Sequence, residues 1–172
     1  MSVLSLLITI LSSSLTGTLL GSYISWKHAE IKDKCSLAIE MHKEFYSKEL
    51  RSARQDADIA LRKYPLWNLE RIYNEAPKSE IEGVLLLLNF YKRLWILIKL
   101  NKIPPKLAYE LFGDLYIWWF DVHLNKRLPL GVWTSYDALL SMRIFFKKKF
   151  SNCESYKRYI KNAKRDKKSI YP

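Results

Sequence analysis

The stretch Glu80–Lys102, EIEGVLLLLNFYKRLWILIKLNK, decides what kind of fold this chain has. It reads either as a membrane span or as the central helix of a packed domain. Its roughly ten strongly apolar residues gain about 3 to 6 kcal/mol on insertion into a bilayer. Lys92 and Arg93, near its middle, cost about 2.5 to 3.5 kcal/mol each. The terms cancel, so the stretch reads as a buried core helix. Ser79 followed by Glu82 has the form of a capping box that opens it.

The neighbouring segments are helical too. IPPKLAYELFGDLYIWWFDVHL, Ile103–Leu124, starts where paired prolines pre-set a first turn. It carries Leu107, Leu111, Leu115, Trp118, Trp119 and Val122 as a helical face. Upstream, Ile31, Cys35, Ala38, His42, Phe45, Ala53, Ala57, Ala60 and Tyr64 recur at spacings of three, four or their sum. That spacing predicts one long amphipathic helix ended by Pro65. Residues 65–79 carry two prolines and predict a connection holding a short helix around Leu69–Tyr73. Thr134 with Asp137, and Ser151 with Glu154, read as capping boxes for two more helices. The last of these puts Tyr156, Tyr159, Ile160 and Ala163 on one face. No strand-like alternation and no internal repeat is present.

At the other end stands VLSLLITILSSSLTGTLLGSYISWKHAEIKDK, Val3–Lys34. The first 26 residues hold no charged side chain, yet ten are serine or threonine. Ser2–Trp26 is long enough to cross a bilayer as a helix. It lacks the basic n-region and small-x-small site of a cleaved signal peptide. Tyr23 and Trp26 stand where amphipathic rings favour the interface, and Lys27, His28, Lys32 and Lys34 follow. The expectation is a single-pass anchor in a bacterial inner membrane, N-terminus outside and C-terminal domain cytoplasmic. Ser5, Thr9, Ser12 and Thr16 share one helical stripe, Ser14, Thr18, Gly21 and Ser25 another, and Gly17 with Gly21 forms a GxxxG. These stripes are read as pore-lining or helix-packing positions in a homo-oligomer, or as hydroxyls bonded to their own helix.

The net charge of +12 is uneven. From Arg143 onward eleven Lys/Arg face only Glu154 and Asp166, leaving a surplus of three for residues 27–142. Lys147, Lys148, Lys149, Arg158, Lys161, Lys164, Arg165, Lys167 and Lys168 therefore read as a surface for an anionic partner, RNA or lipid headgroups, or as a solvated end. Tyr156 and Tyr159 are either stacking platforms for bases or the buried face of their helix. Two cysteines, Cys35 and Cys153, give no disulfide framework and suit a reducing compartment. His28, His42 and His123 are scattered without metal-ligand spacing, and His123 reads as a satisfied packing residue. There is no G-x-S-x-G, and five glycines leave no phosphate-cradling loop. No enzyme activity, metal or cofactor is expected. The fold class read from these observations is all-α: a transmembrane helix over residues 2–26, an amphipathic stalk helix over 27–64, and a cytoplasmic helical domain over 65–172 with a basic C-terminal tail.

Leu88–Phe120, LNFYKRLWILIKLNKIPPKLAYELFGDLYIWWF, resembles a family of small bacterial single-pass membrane proteins of unknown function. The shared features are a hydrophobic helix, a Lys-bearing turn, and L-x-x-E-L-F-G-D leading into aromatics. The family often has acidic residues where Tyr91 and Lys92 stand here. Size, anchor and basic helical domain also resemble the small membrane accessory proteins of type VI-B CRISPR systems. That resemblance implies a HEPN-like domain and a ring of identical chains forming a pore. It also implies a role in antiviral defence beside an RNA-guided ribonuclease. HEPN ribonucleases place an Arg four to six residues ahead of a His. No Arg stands there before His28, His42 or His123, so the cutting motif is missing. The alternative is a membrane-tethered RNA-binding or interaction protein without pore activity.

Overall fold

The computed structural model describes residues 3–125, 127 and 134–171, with side chains from residue 18 onward except 134–136. Seven α-helices follow in order among the described residues: α1 (Val3–Phe45), α2 (Lys48–Lys63), α3 (Leu69–Glu75), α4 (Lys78–Lys99), α5 (Pro105–Trp119), α6 (Thr134–Phe150) and α7 (Glu154–Ile170). A π-helical turn, Phe120–Leu124, extends α5. No strand occurs among the described residues, so the all-α class holds.

The stretch that decides the fold is α4, and it is the central helix. Ile81, Val84, Leu87, Leu88, Phe90, Tyr91, Leu94 and Ile98 are buried along it. Helices α2, α3, α5 and α6 pack around it. Arg93 points outward to an ion pair with Glu44 of α1. α2 approaches α4 closely because its contact stripe is Ala53, Ala57 and Ala60. Gly83 completes that fit: a Cβ there would lie 2.5 Å from the Ala53 carbonyl oxygen. α4 ends on Asn101, at φ 55°, with Lys102 N–H donating to Leu97 O at 2.9 Å and Asn101 N–H to Ile98 O at 3.0 Å. This left-handed cap satisfies two terminal carbonyls, and asparagine tolerates it better than most residues.

An aromatic cluster fills the centre. Phe45 of α1 lies 4.9 Å from Phe90 and 5.8 Å from Phe112, ring to ring, and Tyr91 lies 5.1 Å from Tyr116. Burying each such ring contributes about 1.5 to 3 kcal/mol, which makes this cluster the main tie between α1, α4 and α5.

Several expectations need correction. The stalk is not one helix to Tyr64: α1 ends at Phe45 and α2 starts at Lys48. Ser47 makes the break by accepting the Leu50 N–H on its Oγ at 3.2 Å, while Arg54 donates to the Phe45 carbonyl. A capping serine and a side chain that closes the preceding helix outweigh continued periodicity. Ile31 is exposed. Ser79 is not a cap, because α4 already begins at Lys78 after Pro77. Ser151 is not one either, because α7 starts after Cys153. The buried face of α5 agrees with the expected one at Trp119 and Val122 and is rotated from it in the earlier turns. Ala108, Tyr109, Phe112, Gly113, Tyr116 and Ile117 are buried, while Leu107, Leu111, Leu115 and Trp118 are only partly covered. The short helix expected around Leu69–Tyr73 is α3, capped by Asn68 Oδ1 on the Arg71 N–H at 2.7 Å.

Among the described residues no helix is long and apolar enough to cross a membrane. Most of the span expected over residues 2–26 lies outside the described side chains, including Ser5, Thr9, Ser12, Ser14, Thr16 and Gly17. The backbone of α1 runs unbroken from Val3 to Phe45.

Candidate functional site

Three features stand apart from the core. The first is the free part of α1. None of residues 18–37 is buried. Leu19, Leu20, Tyr23, Ile24 and Trp26 are between 53% and 64% exposed. A Cβ on Gly21 would meet nothing within 4 Å. The chain thus presents a run of large apolar residues that it does not cover itself. Charge enters only below this run, where Glu30 binds Lys27 at 3.2 Å and Lys34 at 2.7 Å. Burial begins at Ala38.

The second feature is a groove of about 420 Å³ between the π-helical turn, α6 and α7. Of the expected anion-binding residues it gathers Lys147, Lys164 and Lys167. Lys148, Lys149, Arg158, Lys161, Arg165 and Lys168 do not line it. Arg143 at its base is held by Asp121, Nε to Oδ1 at 2.9 Å and Nη2 to Oδ2 at 2.8 Å, and it also donates to the Tyr156 hydroxyl. Tyr156 is buried. Tyr159 is partly buried against the core, 6.0 Å from the Tyr109 ring. Of the two readings of these tyrosines, the buried face is the one the fold adopts.

The third feature is a cleft of about 580 Å³ between α2, the π-helical turn and the end of α7. The π-helical turn closes with Asn125 N–H donating to Phe120 O at 2.8 Å. The extra residue in that turn brings Phe120, Val122, His123 and Leu124 inward together. His123 is 1% exposed, with Nδ1 2.8 Å from the Tyr171 hydroxyl. Its Nε2 lies 3.0 Å from Asp58 Oδ1. The pair is close enough to attract, yet its alignment falls short of a hydrogen bond, so Nε2 is left without one. Burial pushes the imidazole pKa down to about 4, against the pull of Asp58, and the charges of Arg127 and Arg62 add to the lowering. His123 is therefore neutral at neutral pH.

Arg127 stands four residues after His123 and is only 5% exposed. Its Nη1 donates to Tyr64 O at 2.6 Å and its Nη2 to the Tyr171 hydroxyl at 3.1 Å. Its own carbonyl accepts the Leu69 N–H at 2.8 Å, which ties it to the start of α3. Both guanidinium partners are neutral, and burial lowers its pKa below the ordinary arginine value. Among the described residues no carboxylate comes within ion-pair distance of it. Arg62 and Lys167 also line the cleft. Arg62 Nε binds Asp58 Oδ1 at 2.8 Å, and Lys167 Nζ donates to Asp121 O at 2.8 Å.

His123 is buried, as expected of a packing residue, but it is not fully satisfied, since Nε2 has no hydrogen bond, and it belongs to a polar site that the sequence reading did not find. Asp58, Arg62, Arg127 and Tyr171 were not singled out. Only Arg127 had a local signal, and it lies on the far side of the histidine from a HEPN motif. Cys35 and Cys153 are free thiols. Among the described residues no three His, Cys, Asp or Glu side chains are grouped as metal ligands. No family model, no curated protein and no solved structure matches the chain.

Proposed function

We propose that this protein is a membrane-anchored homo-oligomer that forms a pore or otherwise perturbs the bilayer, acting in bacterial defence against phage beside an RNA-guided ribonuclease. One observation carries the membrane and self-association parts. Among the described residues no side chain of α1 from Thr18 to Leu37 is buried, and its upper part is apolar and exposed. Such a surface is covered by lipid, by further copies of itself, or by both. The hydroxyl and glycine stripes supply small positions at which helices approach closely, and each interhelical hydrogen bond adds about 0.6 kcal/mol. The charge run that begins at Lys27 favours a cytoplasmic bundle. The defence role rests on the resemblance in size and architecture alone.

The test is dye release from liposomes reconstituted with the full-length chain. Release is expected for the natural sequence, reduced release for Thr9→Leu and Ser12→Leu with insertion intact, and none for a chain lacking residues 1–26. Unchanged release in both leucine variants removes the lining role. A full-length chain that inserts and releases nothing reduces the protein to a tether. In that case the groove with Lys147, Lys164 and Lys167 favours binding of RNA or another anionic partner.

A further inference from the structure

The last two helices gather positive charge that the fold does not neutralise. On α7, Lys157, Lys161, Lys164 and Lys168 follow one another at spacings of four, three and four, and all four are exposed. That spacing lines them along one face, over about 16 Å at the helical rise. Lys164 also stands in the groove between α6, α7 and the π-helical turn, and Lys147 joins it there from α6. None of these five makes an ion pair among the described residues. The nearby acids are engaged elsewhere: Asp121 holds Arg143, and Asp166 accepts from Arg165 and the Trp118 indole. On α7 only Glu154, in the first turn, remains to offset them. Lys167 is not counted, because its Nζ is engaged at the Asp121 carbonyl. Arg143 gives the groove fixed walls, since it reaches from α6 to the π-helical turn and to Tyr156 of α7 at once.

We propose that this face binds a single-stranded nucleic acid through its phosphates, with the strand entering the groove between Lys147 and Lys164 and running along the lysines of α7. A row of like charges at regular steps suits a polyanion, which gives up its counterions on binding. A layer of lipid headgroups suits it less. Such a layer is flat and cannot enter the groove, and helices that lie on bilayers add large apolar side chains, of which α7 exposes none. Bases are not read, because Tyr156 is buried and Tyr159 packs against the core, so neither offers a stacking surface. The strand is therefore held without regard to sequence or sugar. The inference does not rest on the pore reading, since dye release and strand binding fail independently.

Fluorescence anisotropy of labelled oligouridine, titrated with full-length protein in a non-ionic detergent, tests it. Binding is expected at low salt, and log Kd should rise with log salt at a slope of about 3.5, roughly 0.7 for each of the five lysines. Lys147→Gln with Lys164→Gln should weaken binding at least fivefold and lower that slope by about 1.4. Lys48→Gln with Lys78→Gln removes the same charge from the starts of α2 and α4 and should change binding less than twofold. Oligodeoxythymidine should bind within fivefold of oligouridine. Melting curves followed by circular dichroism show that each variant is folded. No binding by the natural sequence overturns the proposal, as does an equal loss in both double variants or a slope indifferent to Lys147 and Lys164. A preference for either sugar above fivefold overturns recognition through phosphates alone. Mixed micelles containing phosphatidylserine form the second arm. Binding that depends on Lys147 and Lys164 there, with none for either oligonucleotide, assigns the face to lipid headgroups and overturns the strand.

Discussion

His123 shows what a single residue does to the stability of this protein. An unfolded histidine titrates near 6.5, and in the fold His123 titrates near 4. Between those values the unfolded chain holds a proton that the folded chain refuses, so acid favours unfolding. Its contribution is constant above about pH 6.5 and is lost as the pH falls towards 4. The slope is at most about 1.4 kcal/mol per pH unit. Urea unfolding at pH 7.5, 5.5 and 4.5 should show this decline, and His123→Gln should flatten it. An identical slope in the variant would assign the acid sensitivity elsewhere. The sequence made His123 legible as a packing residue because it follows an aromatic run. It could not show the partners, since Asp58 and Tyr171 reach it from far along the chain in both directions.

Helices were legible as elements because apolar spacing reports them directly. Their faces and ends were less so. In α5 large apolar residues occur on adjoining faces, and what decides burial is which face the neighbouring helices can approach. Gly113 leaves room for the Tyr109 ring of the same helix, and Phe112 and Tyr116 turn inward in place of Leu111 and Leu115. The break at Ser47 was hidden for a similar reason. The same three-and-four spacing continues across it, and only the capping bond reveals the stop. α2 and α4 leave no room for a side chain at Gly83. Gly83→Ala should cost about 1 to 3 kcal/mol, because the added methyl meets backbone that cannot swing away. Gly21→Ala, where nothing of the same chain stands within 4 Å, should leave the bundle unstrained and should not lower its melting temperature. Thermal melts of the two variants side by side check this. Equal behaviour would mean that α2 and α4 have room to separate.

The whole molecule divides at Ala38. Residues 38–171 contain the buried core, and the run above contributes nothing buried among residues 18–37. A chain lacking residues 1–26 should therefore keep its helical circular dichroism and melt within about 5 °C of the full-length protein. A collapse of the melt would show that the free run supports the bundle. At this scale the all-α class and the central place of Glu80–Lys102 were readable, since both follow from composition and period. The cleft was not. It is assembled from α2, the π-helical turn and α7, and only folding brings those segments together.

The 43 residues of α1 are one rod, about 65 Å long at 1.5 Å per residue. Phe45 and Ala38 lock its lower end into the globule, and no joint interrupts it above them. A tilt of the globule therefore moves the far tip through an arc set by that length, since the two are joined by one unbroken helix.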